Sequence, residues 1–452
     1  MHSAMADKDT NSFWKSWRSV YNKNKSDLAP VVNGCSNEKD IAETFRSNFS
    51  KNSEPNNADN VKKLNERFQR DYQIFTAKHS VNCNCKESYI TTMNVIDALS
   101  AMKLGKSFDE SGISAEHLHF APLSVLIRIT YLFNSMLKHA FVPSQFRSGF
   151  MIPIIKDQQG DRSDPNNYRG ITISPIISKL FEHILKDVFF DHLSTSSYQF
   201  GFKKKSSTIT ALHCLKETIN HFVANGSRVF CGFLDASKAF DRLVHSGLFI
   251  KLMERDIPFV FLRIIMSWYD GLKCRVKWGN EFSDWFTILA GVRQGGVLSP
   301  DLYSIYEDEL IRHLILLGKG CYIYGLFAAA LFYADDMAII APSIKGLQSL
   351  LDACAAYCCE WDICLDGKKT KCLYFGKKCE HLHSLSVDGK DVDWVEEWTY
   401  LGVLLKSATG FNCSIAERIK KFYRCANAIF RIDGYSDELV MLQLAESHCI
   451  PC

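Results

Sequence analysis

The sequence has little that would place the protein in a membrane or on the secretory route. Its longest apolar stretch, around "GLFAAALFYA" (residues 325–334), is too short to cross a bilayer as a helix. The first residues, "MHSAMADKDT", are polar and show no apolar core of a signal peptide. Both absences predict an intracellular protein with no membrane partner.

The chain also lacks a strong net charge. Its 452 residues carry 53 Lys and Arg against 50 Asp and Glu, a formal net charge of +3. This balance is too even to indicate a nucleic-acid-binding protein, so any such interface has to be found in local clusters of basic residues. The length predicts two or three structural units, and no internal repeat is visible.

Paired spacings of metal-binding residues are missing as well. The 17 cysteines are scattered along the chain. Cys83 with Cys85, and His448 with Cys452, have ligand-like spacing, but neither has a matching second pair. We therefore expect reduced and mostly buried thiols rather than zinc sites or disulfides.

What the sequence does contain is a mixture of helical and strand patterns, which predicts an α+β fold. "RVFCGFLD" predicts a buried strand that ends at Asp235, with a helix from about Ser237. "ALFY" and "MAIIA" predict a hairpin around residues 334–336. "LSPDLYSIYEDELIRHLIL" and "GLQSLLDACAAYCCEWDI" predict long helices, and "SIAERIKKFYRCANAIFRI" predicts a basic amphipathic one.

Two adjacent acids, Asp335 and Asp336, interrupt the apolar run of "FYADDM". Asp is a common turn residue, so a solvated turn is one interpretation. The other comes from Asp235, which ends a second apolar strand, with Asp241 six residues later. Carboxylates gathered at neighbouring strand ends repel one another unless a cation lies between them, and oxygen-only ligands suit Mg²⁺. A pair of such ions can assist a phosphoryl transfer.

These acids lie within a series of ordered motifs. "FLDASKAFD", "GVRQGGVLSP" and "FYADDM" together resemble the palm of a reverse transcriptase of the non-LTR (LINE-type) retrotransposons. The stretches "IPIIKDQQGDRSDPNNYRGITI", "QFGFKKKSSTITAL", "LDGKKTKCLYFG" and "WTYLGVLL" agree with that subgroup, and the resemblance extends from about Ser88 to the C-terminus.

The resemblance implies an α+β, right-hand polymerase with fingers, a palm built on an antiparallel sheet, and a partial helical thumb. It implies fingers over 88–230, a catalytic palm over 231–400, and a primer-grip end with a truncated thumb over 401–452. Residues 1–87 are expected to be an N-terminal connector, partly helical or disordered. Because such elements carry an endonuclease upstream, the chain is expected to be a fragment of a longer polyprotein.

The resemblance also implies roles for individual residues. Asp235 and Asp335 would be catalytic and would hold two Mg²⁺ ions, with Mn²⁺ as an alternative, and Asp336 would be the second acid of the catalytic pair. Phe240 falls where the family keeps an aromatic gate against a ribose 2′-hydroxyl, the alternative being packing in the core. The remaining substrate-binding residues would be Lys156, Arg169, Gln294, Gly295 and Lys369.

Contacts with nucleic acid are expected from basic clusters and from one hairpin. The basic residues are Lys203, Lys204, Lys205, Arg418, Lys420, Lys421 and Arg424. A solvated charged face is the alternative for each cluster. Tyr400, Leu401 and Gly402 resemble the primer-grip hairpin. Such contacts would be electrostatic and independent of base sequence.

The implied activity is RNA-directed DNA polymerisation, with an RNA template, a DNA primer and dNTPs as partners. The expected locations are a cytoplasmic ribonucleoprotein and the nucleus. Two alternatives stay open: an RNA polymerase or intron maturase, and a catalytically impaired RNA-binding remnant. The oligomeric state is left open by the sequence.

Overall fold

The computed structural model describes residues 29–80, 89–367, 369–379, 381–430 and 438–449. Within these ranges the chain forms two compact units, one over 29–395 and one from 396 onward. The two ligand-like pairs noted in the sequence include Cys83, Cys85 and Cys452, which lie outside the described residues. Over the described ranges, the cysteines are free thiols, many of them buried, as predicted.

The unit over 29–395 mixes helices and strands, which confirms the predicted combination of the two. Its helices are α1 Glu38–Asn52, α2 Ala58–Ser80, α3 Thr92–Ala101, α4 Ala115–His119, α5 Leu123–His139, α6 Ile176–Val188, α7 Thr208–Ala224, α8 Ala239–Arg242, α9 His245–Glu254, α10 Phe259–Tyr269, α11 Ser299–Leu316 and α12 Ile344–Glu360. Its strands are β1 Ser148–Ile155, β2 Tyr168–Ile173, β3 Val229–Asp235, β4 Lys273–Trp278, β5 Glu281–Phe282, β6 Phe286–Thr287, β7 Tyr322–Ile323, β8 Leu326–Phe327, β9 Ala330–Tyr333, β10 Asp336–Ala341, β11 Lys371–Phe375, β12 Leu385–Val387 and β13 Lys390–Trp394.

The central sheet has the strand order β12-β13-β11-β3-β10-β9. β3 pairs antiparallel with both β10 and β11. β3 and β10 are buried along almost their whole length, because α12 packs against both and α7 packs against β3 and β9. Their continuous apolar sequences are typical of strands covered on both faces.

A second sheet, of order β2-β1-β4-β5 with β6 also on β4, lies in the same unit. The N-terminal helices pack on this unit, α1 against β4 and α2 against α9. Phe45 of α1 is fully buried, with its ring centroid 4.9 Å from that of Tyr168 and 5.0 Å from that of Trp278. Residues that the sequence suggested were part of a connector therefore contribute to the main core.

One predicted helix is wrong in its extent. Instead of a helix from Ser237, the chain makes a turn with Lys238 in the left-handed region (φ 53°), followed by the four-residue α8. The carbonyl of Phe240 accepts a hydrogen bond from Val292 N–H at 2.7 Å, and the carbonyl of Leu243 accepts one from Gly291 N–H at 2.7 Å. Because these carbonyls bond to a distant loop, they cannot continue a helical ladder, and α9 begins only at His245.

The unit from 396 onward contains β14 Glu397–Tyr400, β15 Val403–Lys406, β16 Cys413–Ser414, α13 Ala416–Phe430 and α14 Glu438–His448. The strands form one antiparallel sheet of order β14-β15-β16. α13 and α14 pack together through Ile429, Leu444 and Cys449. "YLGVLL" is therefore a hairpin with its turn at Leu401 and Gly402.

Membrane-spanning helices are not found among the described residues. None of the helices there is both long and apolar enough to cross a bilayer.

Candidate active site

The three predicted catalytic acids meet where β3 ends and β10 begins, a part of the central sheet that we call the acidic edge. Asp235, the last residue of β3, lies directly opposite Asp336, the first residue of β10. Asp335 precedes Asp336 in the turn from β9. The two acidic sequence motifs, a hundred residues apart, thus converge because β3 and β10 are antiparallel neighbours.

A cavity of about 510 Å³ opens at this edge. Asp235 and Asp335 both line it, whereas Asp336 is half-buried beside it and is not among the lining residues. All the predicted substrate-binding residues line the same cavity: Lys156, Arg169, Phe240, Gln294, Gly295 and Lys369. Residues from widely separated stretches are therefore brought to one place.

Electrostatic repulsion is built into the acidic edge. Burial, and secondarily the nearby Asp235 carboxylate, raise the pKa of Asp335. Burial, with Asp335 and Asp235 next, raises the pKa of Asp336 to about 6. The protein alone thus stabilises the ionised forms of these acids poorly. A cation bound between them would offset both the burial and the mutual repulsion of the carboxylates.

Lys369 forms an ion pair with one of these acids. Its Nζ donates to Asp235 Oδ2 at 2.9 Å, and this bond raises the pKa of Lys369. Within the described ranges, no group of three or more His, Cys, Asp or Glu side chains is arranged to hold a metal ion. Two carboxylates with oxygen donors only still fit Mg²⁺, which completes its shell with water and substrate phosphates.

Asp241 is a cavity residue to which the sequence assigned no specific role. Its Oδ1 accepts a hydrogen bond from Gln294 Nε2 at 2.6 Å. Burial raises the pKa of Asp241, while the Gln294 bond and the charges of Lys156, Lys238 and Arg169 lower it. The carboxylate therefore orients the Gln294 amide close to three cationic side chains.

Phe240 contacts two other aromatic rings. Its ring stacks on Tyr303 with centroids 4.4 Å apart, and Phe202 meets it edge-on at 5.9 Å. The ring is only half-buried and faces the cavity. Core packing and exposure to a ligand thus apply to the same side chain, so the two interpretations from the sequence are compatible.

The loop that carries Gln294 is fixed by a buried ion pair that the sequence did not reveal. Arg293 Nη2 donates to Glu182 Oε1 at 3.1 Å, and both side chains are almost fully buried. Glu182 Oε2 accepts from the backbone N–H of Leu298 at 3.0 Å and also from that of Val297. Glu182, which lies on another helix, thereby satisfies backbone N–H groups at the start of α11.

The N-terminal helix α1 also contributes to the cavity, which sequence reasoning missed. Phe49 and Asn52 line it, and Lys238 Nζ donates to Asn52 Oδ1 at 2.6 Å. The Ser53 carbonyl accepts from the N–H groups of Leu289 and Ala290. No local pattern in α1 could have indicated this, because the contact depends on the tertiary packing of α1 against β4.

Several residues predicted to touch nucleic acid have protein partners. Lys203 is half-buried and its Nζ donates to the carbonyls of Thr195 (2.9 Å) and Ser196, while its contact with nucleic acid stays a prediction. Lys204 and Lys205 are exposed.

In the unit from 396 onward the outcome is similarly divided. Arg418 donates from Nε to the carbonyl of Gly402 (3.1 Å) and from Nη2 to that of Leu401 (3.2 Å), which links α13 to the hairpin turn. Tyr400 is buried, and the part that its hairpin plays in holding a primer stays a prediction. The exposed basic residues of α13 are Lys420, Lys421 and Arg424.

Comparison with known proteins agrees with this arrangement. Residues 155–405 match the family model for reverse transcriptase (RNA-dependent DNA polymerase). The chain is 26% identical over 353 residues to the probable RNA-directed DNA polymerase from transposon BS of Drosophila melanogaster, covering 74% of this chain and 38% of that protein. It is 26% identical over 444 residues to the corresponding protein of the X-element in the same species, covering 92% and 46%.

Two further similarities complete the comparison. The RNA-directed DNA polymerase from mobile element jockey of Drosophila funebris is 27% identical over 332 residues, covering 71% of this chain and 36% of that protein. The chain thus spans less than half the length of these curated relatives. A solved structure of apo telomerase from Candida tropicalis, truncated from its C-terminal domain, covers 79% of this chain and 91% of its own at 12% identity. Its TM-score of 0.42 is too low to carry an argument.

The resemblance found in the sequence motifs is confirmed by a family match over a range that includes Asp235, Phe240, Gln294, Asp335 and Asp336. Because that match covers more than half of the chain, the protein belongs to the reverse transcriptase (RNA-dependent DNA polymerase) family.

Proposed function

We propose that this chain catalyses RNA-directed DNA synthesis in the retrotransposition of a non-LTR element. It extends the 3′-hydroxyl of a DNA primer on an RNA template with dNTPs, and its proposed locations are a cytoplasmic ribonucleoprotein and the nucleus. Family membership supports the reaction class. The observation that carries the proposal is the convergence of Asp235, Asp335, Phe240 and Gln294 on one cavity.

The carboxylates of Asp235 and Asp335 would hold two Mg²⁺ ions. Bound there, the ions supply electrostatic stabilisation of the attacking and leaving oxygens of the phosphoryl transfer. Lys369 neutralises Asp235 through its 2.9 Å contact and lies close enough to the acids to give a proton to departing pyrophosphate. Asp336, next to the cavity, adds negative charge at the sheet edge.

The cationic wall of the cavity suits a triphosphate. Lys156 and Arg169 line it from β1's end and from β2, and both lie near Asp241. A guanidinium forks onto phosphate oxygens and an ammonium adds point charge. Burial lowers the pKa of Lys156, and a bound triphosphate would reverse this effect by supplying negative charge.

Phe240 would select deoxynucleotides. Its stacking on Tyr303 restrains the ring at the cavity, so a ribose 2′-hydroxyl would clash with it sterically. Gln294 and Gly295 would contact the template base and the incoming nucleotide, with Asp241 orienting the glutamine. Selection by shape and fixed hydrogen bonds follows.

In polymerase terms, we assign fingers to 88–230, palm to 231–400 and the start of a thumb to 401–452. Lys204 and Lys205 in the fingers, with Lys420, Lys421 and Arg424 on α13, supply exposed positive charge for the backbones of template and primer. An RNA–DNA hybrid is recognised through shape and backbone rather than base edges. The hairpin around Leu401 and Gly402 is the proposed primer grip.

Primer extension tests the proposal. The purified protein is given an RNA template, an annealed DNA primer and labelled dNTPs or NTPs, with Mg²⁺ or with excess EDTA. We expect Mg²⁺-dependent incorporation of dNTPs, and its loss on chelation. Incorporation of NTPs alone would contradict the DNA polymerase proposal, and template binding without any incorporation would favour the impaired remnant.

A further inference from the structure

The turn that presents Asp335 has an unusual backbone. Ala334, immediately before it, lies in the left-handed region with φ 55°. An L-residue with a side chain avoids this region because its Cβ approaches the carbonyl oxygen. Such a conformation persists only where the surroundings hold it, and it determines the direction in which the next side chain leaves the chain.

Gln199, far from this turn in the sequence, supplies that support. Its side chain is 1% exposed, and its Oε1 accepts two backbone hydrogen bonds, from Ala334 N–H at 3.0 Å and from Gly201 N–H at 2.9 Å. One amide oxygen thus ties the acidic turn to the segment around residue 200. Both N–H groups would otherwise be buried donors that need an acceptor.

The segment around Gln199 is itself anchored along β9. Phe200 N–H donates to the Phe332 carbonyl at 2.7 Å, and Phe332 N–H donates to the Tyr198 carbonyl at 2.9 Å. Residue 201 has to be glycine for this approach, because a Cβ there would lie 2.6 Å from Ala334 N. Backbone bonds and close contact therefore place the Gln199 amide at the turn with little freedom.

Core packing alone does not account for a glutamine at this position. Its Nε2 is buried and has no hydrogen-bond partner among the described residues, which is a cost that Leu or Met would not carry. The oxygen is the useful part of the side chain, since it satisfies the strained turn. This imbalance suggests that the residue is retained for the turn rather than for the core.

We propose that Gln199 is a positioning residue for Asp335: through Ala334 it holds the turn so that the Asp335 carboxylate enters the cavity in the productive direction. The inference rests on the proposed polymerase function for its kinetic consequence. Its structural content, the tie between Gln199 and the turn, stands independently of activity.

The test uses Gln199→Met, which keeps the volume and removes the acceptor. Gln348→Met is the matched control, because Gln348 Oε1 also accepts a backbone hydrogen bond, from Ser386 at 3.0 Å, at a place outside the cavity. Hydrogen exchange is followed by mass spectrometry on a peptide spanning residues 330–337. We expect faster exchange of that peptide in Gln199→Met and no change in Gln348→Met.

Kinetics on the same proteins separate positioning from general damage. We expect kcat for dNTP incorporation, per folded molecule, to fall by roughly 10- to 100-fold in Gln199→Met with KM for dNTP nearly unchanged, since misplaced catalytic groups act on the chemical step. Gly201→Ala, whose Cβ would lie 2.6 Å from Ala334 N and 3.1 Å from Gln199 Oε1, should give the same pattern if Gln199→Met fails to fold.

Unchanged exchange at residues 330–337 would overturn the inference, as would equal losses of kcat in the Gln199 and Gln348 variants. If wild-type protein exchanges as expected but incorporates no nucleotide, the proposed function fails while the tie between Gln199 and the turn stands. The two failures are therefore distinguishable.

Discussion

Two buried acidic regions of this protein treat negative charge in opposite ways. At the sheet edge, Asp335 and Asp336 have raised pKa values because burial and neighbouring acids disfavour their ionised forms. Behind the glutamine loop, Glu182 is more deeply buried, yet it is matched by Arg293 and by two backbone N–H groups. In the second region the buried charge has protein partners, so the loss of one partner should destabilise the fold.

In the first region the charge lacks such partners, and we propose that a bound ligand compensates it.

The largest effect is expected from removing charge at the sheet edge. Asp235→Asn should reduce dNTP incorporation by about 10⁴-fold, since several kcal/mol of transition-state stabilisation depend on that carboxylate. The free energy of unfolding should change little, because Lys369 loses one exposed contact and the acids lose a repulsion. Single-turnover extension and urea unfolding measure the two quantities. A large loss of stability would place Asp235 with the structural acids.

The opposite pattern is expected at the buried pair. Glu182→Gln leaves the Arg293 guanidinium buried without its counter-charge, so the free energy of unfolding should fall by about 3–5 kcal/mol. Urea unfolding measures this loss. In contrast to Asp235→Asn, the activity per folded molecule should change little. The double variant Glu182→Gln with Arg293→Met removes the unpaired charge and should recover part of the loss; an equal or greater loss would contradict the pairing argument.

His245 extends the comparison to pH. Its Nε2 lies 2.9 Å from the Gly291 carbonyl, and burial lowers the pKa of His245 from 6.5 to about 4. Below pH 6.5 His245 binds a proton in the unfolded chain but not in the folded one. Its contribution to the free energy of unfolding is therefore complete above that pH and is lost as the pH drops towards 4. The loss approaches about 3 kcal/mol.

Urea unfolding across pH 4–7 checks this expectation. His245→Gln keeps a donor for the Gly291 carbonyl and has no titrating ring, so its stability should depend less on pH over that range. An identical pH dependence in wild type and variant would show that other groups cause it.

The smallest effect is expected at the gate. Phe240→Ala should reduce the preference for dNTPs over NTPs by roughly 10- to 100-fold, because the ring stacked on Tyr303 no longer blocks the 2′-hydroxyl. The ratio of the two kcat/KM values measures it. Phe190→Ala, at an exposed ring outside the cavity, is the control. Unchanged discrimination would return Phe240 to a purely packing role.

The sequence predicted those parts of the site that follow from local patterns. Apolar runs that end in Asp235 and restart after Asp336 indicated two buried strands, and ordered motifs placed Phe240 and Gln294 with them. The structure bears out the mixed fold and brings Asp235, Asp335, Phe240 and Gln294 to one cavity, with Asp336 beside it. The subdomain boundaries and the catalytic roles remain proposals.

The remainder depended on contacts that no local pattern encodes. Glu182 lies on an amphipathic helix, where the sequence pattern alone would assign an acid to the surface. Its burial becomes apparent only from the ion pair with Arg293. The helix expected at Ser237 is broken by bonds to a loop fifty residues later. Lys203 and Arg418 were predicted to contact nucleic acid from their place in basic clusters, and the clusters gave no sign that each also donates to nearby carbonyls.

The central claim is that the acids of the cavity serve catalysis at the expense of stability. Its most direct test is to measure dNTP incorporation and the free energy of unfolding on the same preparation of Asp335→Asn, with Asp352→Asn, an exposed acid outside the cavity, as control. We predict that Asp335→Asn loses incorporation and is as stable as wild type or more stable, because the buried repulsion is gone. Retained incorporation, or a loss of activity that only follows a loss of folding, would contradict the account.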